Sequence, residues 1–123
     1  MILAMQKISD AALTVIQRES IDSAERCPVF YDALHQAAHL ETVRRLNAKA
    51  EKRGFRPLPF SGDVTLPLLS GNELASAALE ALVCRDSFDL MASSGMGCEA
   101  AAEFFQGVLY TLCQWQKSTT QAQ

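Results

Sequence analysis

Three prolines within eleven residues, Pro57, Pro59 and Pro67, with Gly54 just ahead of them, constrain this 123-residue chain more than any other feature. Proline has no N–H to give a helix and crowds the residue before it, so no regular helix can run through this stretch. Helix-forming sequence must therefore fall on either side. Gly54 supplies the left-handed residue that follows a helix end, which places the C-terminus of a helix near Arg53. Its start falls at Pro28, whose fixed φ suits a first helical position, and Phe30, Ala33, Leu34, Ala37, Leu40, Val43 and Ala50 give it an apolar face. Residues 55–69, FRPLPFSGDVTLPLL, are too apolar for a solvated linker and are expected to pack on the core.

Three further segments carry helical periodicity. Met5, Ile8, Ala12 and Val15, widened by Leu13 and Ile16, predict a helix over about 3–20. Ser70 as N-cap, Glu73 closing a capping box, and Leu69 stapled to Leu74 predict a sharp helix start at 70. In that helix Leu74, Ala78 and Leu82 form one row and Ala75, Leu79 and Val83 the next, so both rows are expected inside. Arg85-Asp86-Ser87 either kinks it or begins a new helix that lasts to Ser93-Ser94-Gly95. The fourth segment follows Gly97 with Cys98, Ala101, Ala102, Phe105, Val108, Leu109 and Leu112 at i, i+3, i+4, i+7 spacing, and is expected at the centre. The tail 118–123 is polar and expected to fray. The resulting expectation is all-α: one domain over 1–123, a compact bundle of four to five helices with a long Pro-rich connection between the second and third.

A composition of 49% hydrophobic and 20% charged residues is that of an ordinary globular chain. Cys27, Cys84, Cys98 and Cys113 are widely spaced without a Cys-x-x-Cys pair, so they read as buried thiols and not as a zinc ribbon or redox motif. Met1–Met5, MILAM, lacks the basic and long apolar regions of a secretion signal, and no apolar run approaches the ~20 residues of a membrane span. No membrane role and a cytoplasmic location are expected. The net charge of −3 is uneven: residues 1–56 hold nine Lys/Arg against seven Asp/Glu, and residues 57–123 hold two against seven. This small acidic protein therefore cannot coat nucleic acid over its whole surface.

Three constellations carry possible chemistry. Asp32, His35 and His39 are spaced three and four apart on the second helix, a set that suits a divalent metal such as zinc or iron. Gln36 stands where a metalloprotease HExxH motif would need its glutamate. Arg44, Arg45, Lys49, Lys52, Arg53 and Arg56 form a basic run that would neutralise phosphates, with Phe55 as a stacking group. Helix-dipole complementarity explains the same charges without a ligand. Phe104, Val108, Thr111 and Trp115 form a second stripe on the fourth helix and fit an interface with another protein or a second copy. No nucleophile elbow, Walker lysine or Rossmann glycine pattern is present. The sequence thus points to a non-catalytic protein-binding module of the adaptor, inhibitor, chaperone or immunity type, without a cofactor and working as a homodimer. A metal-dependent helical-bundle enzyme and a nucleic-acid-binding factor are the alternatives.

Overall fold

The computed structural model describes residues 1–59 and 62–121, the last three of these by backbone only. The chain is all-α, with α1 over Asp10–Asp22, α2 over Pro28–Lys52, α3 over Gly71–Ser93 and α4 over Glu99–Gln121. Short connections fold α1 back on α2 and α3 back on α4, which makes two antiparallel helical hairpins. Contacts between Asp10 and Arg45, and between Phe88 and Phe105, fix those directions. The core lies where the hairpins meet, around Phe30, Tyr31, Leu34, Phe88, Phe105 and Leu112.

The first helix begins seven residues later than its periodicity predicts. Ser9 is the cap, and its hydroxyl accepts the Ala12 N–H at 3.2 Å. Ahead of it the chain is extended: Leu3 and Met5 are buried while Ile2 and Ala4 are exposed, a period of two and not of 3.6. Ile2 forms an antiparallel bridge with Thr65, closed by Leu3 N–H to Val64 C=O at 2.9 Å and Leu66 N–H to Met1 C=O at 2.8 Å. The pairing carries Leu66, fully buried, and Leu69 onto the core. Between α2 and α3 no helix forms among the described residues.

Pro28 opens α2 as expected, and the helix ends at Lys52. Gly54 adopts φ +82°, and the Phe55 N–H reaches back to the Ala50 carbonyl at 2.9 Å. The third helix departs from its sequence pattern at its start and in its buried row. Ser70 sits at the N-cap but its side chain makes no capping bond, because Gly71 enters the helix with φ +58° and turns the chain before the capping box can close. The helix runs unbroken through Arg85-Asp86-Ser87, where Asp86 accepts from Arg85 at 2.8 Å instead of capping a new turn. Its buried row is Leu74, Ala77, Ala81, Cys84 and Phe88, while Leu79 and Val83, expected inside, are 57% and 47% exposed. Ala77 and Ala81 in this row are fully buried, and small side chains at such positions allow close helix packing.

The fourth helix buries Ala101, Ala102, Phe105, Val108 and Leu112. Glu103, Gln106 and Tyr110 stand in solvent on its other side, so α4 is amphipathic and not enclosed at the centre. It is helical through Gln121; the rest of the tail expected to fray lies outside the described residues.

Candidate functional site

Glu80 interrupts the apolar middle of α3 and is buried there, so its charge needs partners. Tyr31 on α2 donates its hydroxyl to Glu80 Oε1 at 2.5 Å, and Arg26 donates through Nε to the same oxygen at 2.9 Å. Arg26 also donates to Ser23 Oγ at 2.8 Å, and Ser23 donates to Glu19 at 2.6 Å. The cluster joins the α1–α2 turn to α3 and locks one hairpin on the other. Burial and the bond to Glu80 push the Tyr31 phenol above its ordinary range, and Glu80 holds Arg26 firmly protonated. Cys84 lies 4.0 Å from the Tyr31 hydroxyl, and burial pushes its thiol up to about 11. At neutral pH this is a protonated thiol and not a nucleophile.

The basic run divides in two. Arg45 donates to Glu41 at 2.9 Å, to Asp10 at 2.6 Å, and to the carbonyls of Met5, Gln6 and Ile8, so it ties the N-terminal arm to α2. Its bond and charge hold the Asp10 carboxyl below the usual range. Arg44 reaches the Gly62 carbonyl and Asp63. Lys49, Lys52, Arg53 and Arg56 remain exposed at the end of α2, beside an exposed Phe55.

Asp32, His35 and His39 share the exposed side of α2. Asp32 accepts from Gln36 at 2.8 Å, His35 is half-buried with Nδ1 enclosed and lacking a hydrogen-bond partner, and His39 is exposed. Among the described residues no three His, Cys, Asp or Glu side chains come together as a metal site. The α4 stripe is also divided: Val108 belongs to the core, Phe104 and Trp115 pack half-buried against it, and Thr111 donates to the Gly107 carbonyl.

An open apolar surface lies instead on α3. Leu79, Val83, Asp86 and Leu90 follow one another at steps of four, three and four, the spacing of a coiled-coil seam. The leucines are 57% and 72% exposed and Val83 is 47% exposed. Asp86, the polar member, carries its own counter-charge in Arg85. Val15 of α1, partly exposed, lines the same cavity as Val83, so the open surface continues from α3 onto α1. In the sequence Leu79 and Val83 belong to a second apolar row expected inside, and periodicity alone does not say which row faces in.

No protein-family model, curated protein or solved structure matches the chain.

Proposed function

We propose that this chain is a non-catalytic protein-binding module that acts as a homodimer, joined through the outer row of α3. The observation that carries this is the exposed Leu79, Val83 and Leu90 in a seam spacing, on a helix whose opposite side already fills the core. Such a helix is stable in water only at a cost that a covering partner removes. A second copy supplies the same row, and a two-fold pairing of identical rows is self-complementary. Antiparallel pairing brings Leu79 of one copy against Leu90 of the other and leaves Asp86 near the middle, where one polar residue fixes register.

Multi-angle light scattering on the purified chain tests this. The wild type is expected at twice the chain mass and Leu79→Glu/Leu90→Glu at the chain mass, with unchanged helicity. A wild-type monomer at about 100 μM, or a dimer unaffected by both charges, would overturn the reading. Phe104→Ala and Trp115→Ala serve as the comparison for a contact on α4 instead. Four free cysteines support a reducing compartment, and we place the module in the cytoplasm. No helix among the described residues is long and apolar enough to cross a membrane.

The exposed Lys49, Lys52, Arg53 and Arg56 beside Phe55 favour one second reading, contact with the phosphates of a nucleic acid. Arg44 and Arg45 are engaged within the fold, so the test variant is Lys52→Glu/Arg53→Glu. Salt-sensitive binding of a short RNA or DNA that this variant weakens supports the reading, and binding indifferent to it removes the patch.

A further inference from the structure

The extended stretch at Val64, Thr65 and Leu66 is paired along one edge only. The Leu3 N–H bonds to the Val64 carbonyl, and the Met1 and Leu66 backbones bond to each other, so the residues on either side of Thr65 face the N-terminal arm. In an antiparallel pair the residue between two such positions turns its own N–H and C=O the opposite way. Thr65 is that residue, and among the described residues neither of its backbone groups has a hydrogen-bond partner. Unpaired edge groups of this kind are a template for an added strand.

Val64, Thr65 and Pro67 border an open groove of about 700 Å³, whose other walls are the end of α1 and the start of α2. No residue of the arm lines it, so the groove lies on the unpaired side of Thr65. Ile21, 66% exposed, and the half-buried Val29 give it an apolar floor. Among the described lining residues Asp32 is the one carboxylate, and no Lys or Arg joins it. Asp22 and Glu25, both exposed, stand next in the chain to the lining Ile21 and Ala24, while Arg26 is held by Glu80 and Glu19. The rim therefore attracts cations. Pro67 offers no N–H to a neighbour, which ends an added strand there and keeps it short. We propose that this groove binds a short extended peptide with alternating apolar and basic side chains, added as a strand against Thr65. Alternate side chains of such a peptide point to opposite sides, so the apolar set meets Ile21 and Val29 and the basic set meets the acidic rim.

This rests on the protein-binding part of the reading above and not on the α3 pairing, since Leu79, Val83 and Leu90 do not line the groove. The probe is a capped, fluorescein-labelled seven-residue peptide of alternating lysine and valine, titrated against the full chain by anisotropy and by NMR. Saturable binding of one peptide per chain is expected, with a dissociation constant on the order of 100 μM because a short peptide loses its freedom on binding. The Thr65 amide should shift and slow in solvent exchange. Thr65→Pro removes the N–H that the added strand needs and leaves the bonds to the arm in place, so it should weaken binding about tenfold with the helical signal kept. Ile21→Lys, at an exposed position, should weaken it by a similar factor through charge alone. Asp32→Asn should weaken it about threefold and flatten its salt dependence. A peptide with glutamate in place of lysine should fail to compete.

No saturable binding, wild-type affinity in any of the three folded variants, equal competition by the glutamate peptide, or shifts confined to α3 would overturn the proposal. A Thr65 amide already protected without peptide would show a second copy in the groove and would overturn it as well. Leu79→Glu/Leu90→Glu should bind the peptide with wild-type affinity. Loss of peptide binding in that variant would overturn the groove, whereas the dimer is judged separately by its mass in light scattering.

Discussion

The third and fourth helices pack against each other along their length, yet they resolve their apolar surface in opposite ways. On α4 the large side chains Phe105, Val108 and Leu112 point to the core, and Glu103, Gln106 and Tyr110 meet solvent. On α3 the small side chains Ala77 and Ala81 face the core, and Leu79, Val83 and Leu90 remain outside. The difference teaches that helix contact selects for fit and not for apolarity alone: Ala77 and Ala81 are buried in the same α3 row as Phe88, whose ring stacks on Phe105 of α4, while the larger Leu79 and Leu90 of α3 stay outside. Leu79 and Leu90 are left on the far side of α3, the surface on which the proposed pairing rests.

Truncating bulk on α4 should produce the largest effect. Phe105→Ala removes a fully buried ring that stacks on Phe88, and denaturant unfolding should show a loss of about 3–5 kcal/mol. A loss below about 1 kcal/mol would mean that α4 does not anchor the core. Next comes the one charge on the inner side of α3. Glu80→Ala leaves the Tyr31 hydroxyl enclosed without its acceptor and frees Arg26 from the α3 hairpin, at a cost of about 2 kcal/mol by the same measurement. Arg26 is half-exposed and rehydrates, which keeps the figure below that of a fully buried pair.

A smaller effect is expected at high pH from Cys84. Burial raises its thiol from 9.0 to about 11, so the folded chain holds a proton that the unfolded chain releases. The resulting stability is complete below pH 9 and is lost as the pH rises towards 11. Cys84→Ala should flatten the wild-type decline across that window; an identical decline in both would assign it to other groups. In the wild type, alkylation at pH 8 should reach the half-buried Cys113 well before Cys84. Smallest of all should be Leu90→Ala on the outer side of α3, within about 0.5 kcal/mol for the monomer. The same change should weaken association, and that contrast with Phe105→Ala is the sharpest form of the α3–α4 comparison.

Much of this architecture is legible in the sequence. Pro28, Gly54 and the three prolines set the bounds of α2 because they act through local backbone geometry. The extended arm is hidden in the sequence because Met5, Ile8 and Ala12 mimic helical spacing, while the signal that decides it, Ser9 as a cap for Ala12, is a single residue. Its pairing with Thr65 is a contact across more than sixty residues that no local pattern encodes. The Arg26–Tyr31–Glu80 lock is not encoded locally for the same reason, although Glu80 stands out among alanines and leucines. Arg45 looked like part of a ligand patch because charge runs show composition and not partners; in the fold it holds Asp10, Glu41 and three carbonyls.

The central claim, that the outer row of α3 is covered by a second copy, is tested most directly by isotope-filtered NMR on a mixture of carbon-13-labelled and unlabelled chains. Intermolecular contacts are expected at the methyls of Leu79, Val83 and Leu90. Their absence, or contacts confined to the neighbourhood of Phe104 and Trp115, would contradict it.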